Sequence, residues 1–378
     1  MPDQKSERFP ANRDRPTRAI GVISGTSMDG IDVAFVATDG AAQVSPGAGA
    51  SYPYPPGLRA ELRALIADPA RARHAALAEL EQAVTHAHCD AVTRFMREQN
   101  LARADIDLVG LHGQTVFHRP QDRFTRQLLD GARAAQLLGM DVVNRFRHAD
   151  VAAGGEGAPF VPLYHQALAA QLATPLMVLN WGGVGNVTCL SDGPPLAFDT
   201  GPANALIDDW VLRHFDRLFD ADGAICASGA ADHGIVAALM DNPYFARKPP
   251  KSLDRNEFHR RAKIVETLSP QDGAATLAAF TIEATAAALR HVPAPPRRWL
   301  VCGGGRLNRF LMQGLAARLG VPVEPVEAVG WNGDDLEAQC FAWLAVRSRH
   351  GLPLSLPSTT NVPAPMPGGV FHPSTPVA

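Results

Sequence analysis

One local design occurs twice in this chain, and that repetition limits the folds open to it more than any other feature. Residues 19–40 run as an apolar strand ending at Ile23, a small-residue turn (Ser24, Gly25, Thr26, Ser27, Met28, Asp29, Gly30), a second strand from Ile31, and Asp39-Gly40. Residues 176–193 do the same: an apolar strand up to Asn180, then Trp181, Gly182, Gly183, Val184, Gly185 and Asn186, a second strand, and Asp192-Gly193. The recurrence predicts a duplicated fold whose two hairpins grip one phosphate chain from opposite sides.

Small residues and hydroxyls at such a corner present backbone N–H and O–H donors in a concave array suited to phosphate oxygens, although the same residues also make a plain hairpin. Asp29 and Asp32 would repel a polyphosphate unless a divalent cation or its waters stood between them, so the phosphate reading brings Mg²⁺ with a nucleotide. No G-x-x-x-x-G-K-[ST] motif exists. The nearest lysine-serine pair, Lys251 and Ser252, follows two prolines and lacks the glycines, which excludes a P-loop.

At 378 residues the chain exceeds one ordinary core, so two domains with a cleft are expected. Helical periodicity appears over 57–68 and 74–99, and a strand over 106–111 ends by releasing His112, Gly113, Gln114 and Thr115 into a loop. A helix over 132–138, a strand over 141–143, glycines at 154, 155 and 157, and a helix from about 159 to 172 come next. Further on, the spacing predicts a strand over 196–199, helices over 202–214 and 272–290, a strand over 299–302 and a Pro-rich surface tail from 353. Alternating strands and helices favour an α/β architecture. The strand at 299–302 opens into Gly303, Gly304, Gly305 and Arg306. This is not G-x-G-x-x-G, yet three glycines let a flat ring or a phosphate approach the backbone.

A net charge of −3 without a long basic run argues against nucleic acid or an anionic membrane surface and points to a small-molecule partner. Cys89, Cys189, Cys226, Cys302 and Cys340 show no C-x-x-C spacing and read as buried thiols of a reducing compartment. The polar residues 1–17 read as a disordered extension, neither a signal peptide nor an anchor. With no apolar run near the ~20 residues that span a bilayer, the expected location is the cytoplasm.

Among groups able to do chemistry, Asp199 stands at the end of its expected strand, where a carboxylate is rigidly held yet projects into a cleft, as a general base requires; an N-cap or turn role is the alternative. Glu337, in the first turns of a helix, serves equally as a dipole-compensating charge, and Asp208 and Asp209 read as a solvated helix face. His112 and His118 lack a third ligand for a metal, and His86 and His88, two apart on a helix, face different ways. Ser27 is not in G-x-S-x-G, which argues against a serine hydrolase.

Taken in order, G-T-S-M-D-G-I-D at 25–32, H-G-Q-T at 112–115, D-V-A-A-G-G-E-G-A-P at 150–159, G-G-V-G-N-V at 182–187, F-D-T-G-P-A-N at 198–204, C-G-G-G at 302–305 and G-W-N-G-D-D-L-E-A at 330–338 resemble the anhydro-N-acetylmuramic acid kinase family of the actin, sugar kinase and Hsp70 superfamily, from about residue 18 to 373. The resemblance implies a two-domain, actin-like ATPase fold of duplicated ribonuclease H-like halves with an interdomain cleft. Residues 18–140 plus 351–378 would form the first domain, and 141–350 the second, with the catalytic aspartate and adenosine loop.

It also implies an ATP-dependent reaction in which 1,6-anhydro-N-acetylmuramic acid is hydrolysed and phosphorylated to N-acetylmuramic acid 6-phosphate during peptidoglycan recycling. Asp199 would take the proton from water, with Glu337 as the second carboxylate. Gly25, Thr26, Ser27, Met28, Asp29, Gly30, Ile31 and Asp32 would clamp the ATP phosphates, Asp32 holding Mg²⁺ through water. Gly182, Gly183 and Asn186 would oppose them, and Gly303, Gly304 and Gly305 would border adenosine. His112, Gln114 and Arg147 would meet the sugar, and the enzyme would be a homodimer. Four positions depart from the family pattern: Leu129 for glycine, Arg145 for aspartate, Glu156 for glutamine and Trp181 for isoleucine, each expected to alter volume or charge near the cleft.

Overall fold

The structure, a computed structural model, describes residues 15–25, 28, 30–253 and 258–374. Thr26, Ser27 and Asp29 of the expected phosphate turn, and residues 1–14 of the expected extension, lie outside the described residues. The end of that extension is structured: Arg15 pairs with Asp107 at 2.8 Å, and Thr17 opens the first strand.

Twelve strands form two sheets among the described residues. The first holds β1 (Thr17–Ser24), β2 (Ile31–Thr38), β3 (Val44–Tyr52), β4 (Leu108–Arg119), β5 (Phe124–Leu128), β6 (Val142–Asn144) and, from the far end of the chain, β12 (Val370–His372). The second holds β7 (Leu176–Trp181), β8 (Val184–Leu190), β9 (Leu196–Pro202), β10 (Trp299–Cys302) and β11 (Val323–Pro325). Their orders match. β3-β2-β1-β4-β6 corresponds strand for strand to β9-β8-β7-β10-β11, with an antiparallel meander followed by two parallel strands in each. The duplication read from two turns therefore extends through two whole sheets, and this is the duplicated α/β fold the resemblance implied.

Alternation along β1 shows how the layers are built. Ile20 and Val22 join the core under the helix Ala78–Glu98, whereas Ala19 and Ile23 pack toward the helix Leu336–Arg349. That second helix is apolar nearly all round because it is buried between the sheets, sharing one core with Leu176 and Val178 of β7 and Leu300 of β10. It lies so close to β1 that a Cβ on Gly21 would meet the Ala338 carbonyl oxygen at 1.9 Å.

Several expectations change here. The boundary at 140 would cut β6 from its partners β4 and β12, and the 336–349 helix rests on the first sheet although expected in the second domain. The tail after 353 is not only surface loop, since β12 closes the edge of the first sheet and Thr360 is fully buried. His112, Gly113, Gln114 and Thr115 lie inside β4 rather than in a loop after it. The strand bends at Gly113, whose φ is +77°, and continues to Arg119 by pairing with β5.

Candidate active site

The ends of β1, β7 and β8 converge on one cleft with a cavity volume of about 210 Å³. Ile23 closes it from the first sheet and Asn180 and Asn186 from the second. Arg147, Glu156 and Phe160 line one wall, Glu337, Cys340 and Phe341 another, and Asp199, Lys251, Ser252 and Thr359 complete it.

Asp199 is the fourth residue of β9, not the strand end expected of it. Pairing slips at this point, Asn186 facing Asp199 while Gly185 faces Gly201, so Thr200 is extra and the strand bulges. A bulge re-aims a side chain without interrupting the sheet that holds it, which puts a rigidly carried carboxylate into the cleft. Lys251, Ser252 and Leu253 run along the outer side of β9. The Asp199 N–H donates to the Lys251 carbonyl at 2.9 Å, and the Leu253 N–H donates to the Asp199 carboxylate at 2.8 Å. Loss of hydration pushes the Asp199 carboxyl up to about 7; Glu156 adds to the rise, while the Leu253 N–H and Lys251 oppose it. Such a group changes protonation near neutrality, as a general base does.

Around the first turn, Met28 turns its side chain into the core at a φ of +54°, and its N–H donates to the Gly25 carbonyl at 3.1 Å. Ile31 is likewise buried, so both can offer a phosphate only backbone, and Gly30 presses on Ser51 of β3. Gln114 lies beneath this turn. Its amide donates to the Gly25 carbonyl at 3.2 Å and its oxygen accepts from the Tyr54 hydroxyl at 3.1 Å, which binds it to the phosphate turn instead of the expected sugar wall. Asp32 follows on β2, facing Ser51. Burial lifts the nearby Asp335 carboxyl to about 6, with Asp334 and Asp32 adding to the shift, so negative charge gathers at this end.

In the second turn, the carbonyls of Gly182 and Gly183 accept from the N–H groups of Asn204, Ala203 and Ala205 at the start of the helix Asn204–Phe215. Neither glycine spends its own N–H on another main-chain oxygen among the described residues, and Gly183 is exposed. The loop Gly303, Gly304, Gly305 folds against this turn. At Gly303, φ is +73° and a Cβ would stand 2.3 Å from Asn180 Oδ1 and 2.8 Å from the Trp181 carbonyl oxygen.

On the opposite wall Arg147 is sandwiched between Phe160 and Phe341, its carbon Cζ 5.4 and 5.8 Å from the ring centres. Its Nε donates to His112 Nε2 at 2.7 Å and its Nη1 to the Gly157 carbonyl at 2.6 Å. Burial and the Arg147 charge hold His112 far below its usual range, so the neutral ring is the acceptor. His112 therefore stands behind Arg147, which itself reaches the cleft. Glu337 also lines the cleft, accepting from Asn180 Nδ2 at 3.3 Å, so both expected carboxylates open into one space.

Asp150, fully buried, draws together three segments of that wall. Its carboxylate accepts from the Gly157 N–H at 2.7 Å and from the Ser355 and Thr360 hydroxyls at 2.5 and 2.6 Å. Of the four departures only Glu156 lines the cleft. Leu129 is core beside Gly113, Arg145 is exposed, and Trp181 is core, its indole N–H donating to Thr285 at 3.0 Å. Lys251 and Ser252, examined in the sequence only as a failed P-loop, prove to be cleft residues. In the sequence they simply follow Pro249 and Pro250, and nothing there marks them as cleft residues.

Two like sheets, two glycine turns and a strand-borne carboxylate beside one shared cleft are the parts of a duplicated α/β phosphotransferase. The family model described as anhydro-N-acetylmuramic acid kinase matches residues 17–374, and the chain belongs to that family. Among curated relatives, proteins named anhydro-N-acetylmuramic acid kinase are 51% identical in Rhodospirillum rubrum over 361 residues (95% of this chain, 95% of that one) and 52% identical in Acidiphilium cryptum over 355 residues (93% and 97%).

Proposed function

We infer that this chain is an ATP-dependent kinase that hydrolytically opens the anhydro ring of 1,6-anhydro-N-acetylmuramic acid and phosphorylates O6, giving N-acetylmuramic acid 6-phosphate and ADP in peptidoglycan recycling and amino sugar catabolism. The observation that carries it is the bulge-aimed Asp199, with a proton affinity near neutrality, in a cleft lined by Ile23 and Asn186 beside the two glycine turns. Water attacks the anomeric carbon and gives its proton to Asp199. The bond from that carbon to O6 breaks, and O6 bonds to the γ-phosphorus as the bond to the ADP oxygen breaks. Alignment and charge stabilisation do most of the work in such a transfer.

Gly25, Thr26, Ser27, Met28, Gly30, Ile31, Gly182, Gly183 and Asn186 hold the phosphates in this scheme, and the 303–305 loop borders adenosine. Arg147 meets the sugar, with His112 behind it. The charge at Asp32 and Asp335 and their hard oxygen donors suit Mg²⁺, held by Asp32 through water together with phosphate oxygens. That ion would neutralise charge on the transferring phosphoryl group. A homodimer and a cytoplasmic location belong to the same proposal; among the described residues no helix is long and apolar enough to cross a membrane.

A coupled assay of ADP release tests the proposal. Release should require the anhydro sugar, and Asp199→Asn should abolish it while ATP still binds. Sugar-independent ADP release would instead mark a nucleotide switch. Because Glu156 faces the cleft, related amino sugars should be assayed beside the muramic acid substrate; a preference for one of them would reassign the acceptor.

A further inference from the structure

We propose that Lys251 is a positioning residue for the reaction, its buried ammonium group holding Asp199 as the charged base against the opposing carboxylate of Glu156. The proposal rests on Asp199 being the base.

The geometry begins with the backbone. Lys251 and Asp199 are joined through the Asp199 N–H, and two residues on, the Leu253 N–H reaches the Asp199 carboxylate, so the lysine and the carboxylate belong to one rigid patch. The lysine side chain then enters the cleft almost wholly buried. Its Nζ donates to the Tyr244 carbonyl at 3.0 Å and stands 4.5 and 5.8 Å from the ring centres of Tyr244 and Phe198, with no carboxylate within ion-pair distance among the described residues. The Tyr244 hydroxyl donates in turn to the Asp199 carbonyl at 2.7 Å, closing a ring of contacts around the base. A buried ammonium ion without a paired anion is costly, and a fold that keeps one on the patch that carries its base gains a local field. Loss of hydration and the neighbouring Arg247 lower its proton affinity to about 8, while Asp199 opposes that shift.

Glu156 supplies the opposite influence. It arrives on the loop held by Asp150, its N–H donating to the Thr360 carbonyl at 2.6 Å, and its carboxylate accepts from the Ser252 hydroxyl at 3.2 Å, next in sequence to Lys251. Asp199 therefore feels a cation from its own edge and an anion from the facing loop, with opposite effects on its proton. The other groups packed around it are Asn186 on β8 and the Tyr244 phenol, with Glu337 and Arg147 on the far wall. Such an arrangement sets the pH at which the base loses its proton.

The experiment is the pH profile of sugar-dependent ADP formation for wild type, K251M, K251R, E156Q and the double variant, with KM for ATP measured alongside. K251M should move the acid limb up by about one pH unit, losing about tenfold in kcat at pH 6.5 and recovering above pH 8, while K251R stays near wild type. E156Q should move the limb down by a similar amount, and the double variant should return toward wild type. A K251M loss that is equal at every pH, or an unmoved limb in both single variants, overturns the proposal. E156Q leaves the β9 edge intact and so reads the field even where K251M folds poorly. Asp199→Asn separates the two readings: if it turns over normally, the assignment of the base fails, whereas an inactive Asp199→Asn with unmoved limbs defeats the lysine proposal alone.

Discussion

Gly303→Ala tests whether the adenosine loop and the second hairpin turn form one packed unit. At φ +73° and ψ 172°, a conformation essentially confined to glycine, an alanine costs ~1–3 kcal/mol. Its Cβ would also stand 2.3 Å from Asn180 Oδ1 and 2.8 Å from the Trp181 carbonyl oxygen, an overlap of the kind that costs ~1–3 kcal/mol to relieve. Together these predict a loss of about 3 kcal/mol, or a melting temperature lower by about 6–12 °C at the ~2–4 °C per kcal/mol of a 150–250-residue unit. Because the displaced atoms belong to the residues that lead into Gly182, KM for ATP should rise as well. Gly304→Ala is the control. Its Cβ would find nothing nearer than Asn204 Nδ2 at 3.8 Å, so stability should stay within about 0.5 kcal/mol. Scanning calorimetry and initial rates over a range of ATP concentrations measure both effects. Equal melting temperatures for the two variants would refute the packing argument.

Asp199→Asn should reveal that this carboxylate is held at a cost to stability. Its folded-state proton affinity lies at about 7, above the ordinary 3.8, so folding takes up a proton between those values and stability falls as pH rises through that window. The variant should therefore gain melting temperature over wild type at pH 8 and gain much less at pH 5; the same difference at both would sink the idea. Asp150→Asn, by removing the charge that gathers three donors at 2.5–2.7 Å, should cost about 2–4 kcal/mol and raise KM for the sugar more than KM for ATP. Urea denaturation with wild-type midpoint would count against that clamp.

The duplicated design was legible because it is local: a glycine-bearing turn between apolar strands states its own shape. Asp199 was legible as a residue type, but its position was not, since nothing in F-D-T-G-P announces that Thr200 is the extra residue of a bulge. His112 and Gln114 were expected together at the sugar because H-G-Q-T carries that role in the resemblance. In a strand with a left-handed kink at Gly113, His112 stands behind Arg147 and Gln114 under Gly25. The 336–349 helix reads as an ordinary element of the second half, and only three-dimensional packing shows that both sheets share it. Lys251 and Ser252 were hidden for a related reason, as their segment acquires a partner only when β9 lies beside it.

That shared helix has a mechanical consequence. Its backbone abuts β1 at Gly21 and β4 at Gly110, so close packing makes it part of the first half and resists any sliding over that sheet. Glu337 and Cys340, on the first two turns of that helix, line the cleft, so whatever fills the cleft presses on a beam anchored in the first sheet.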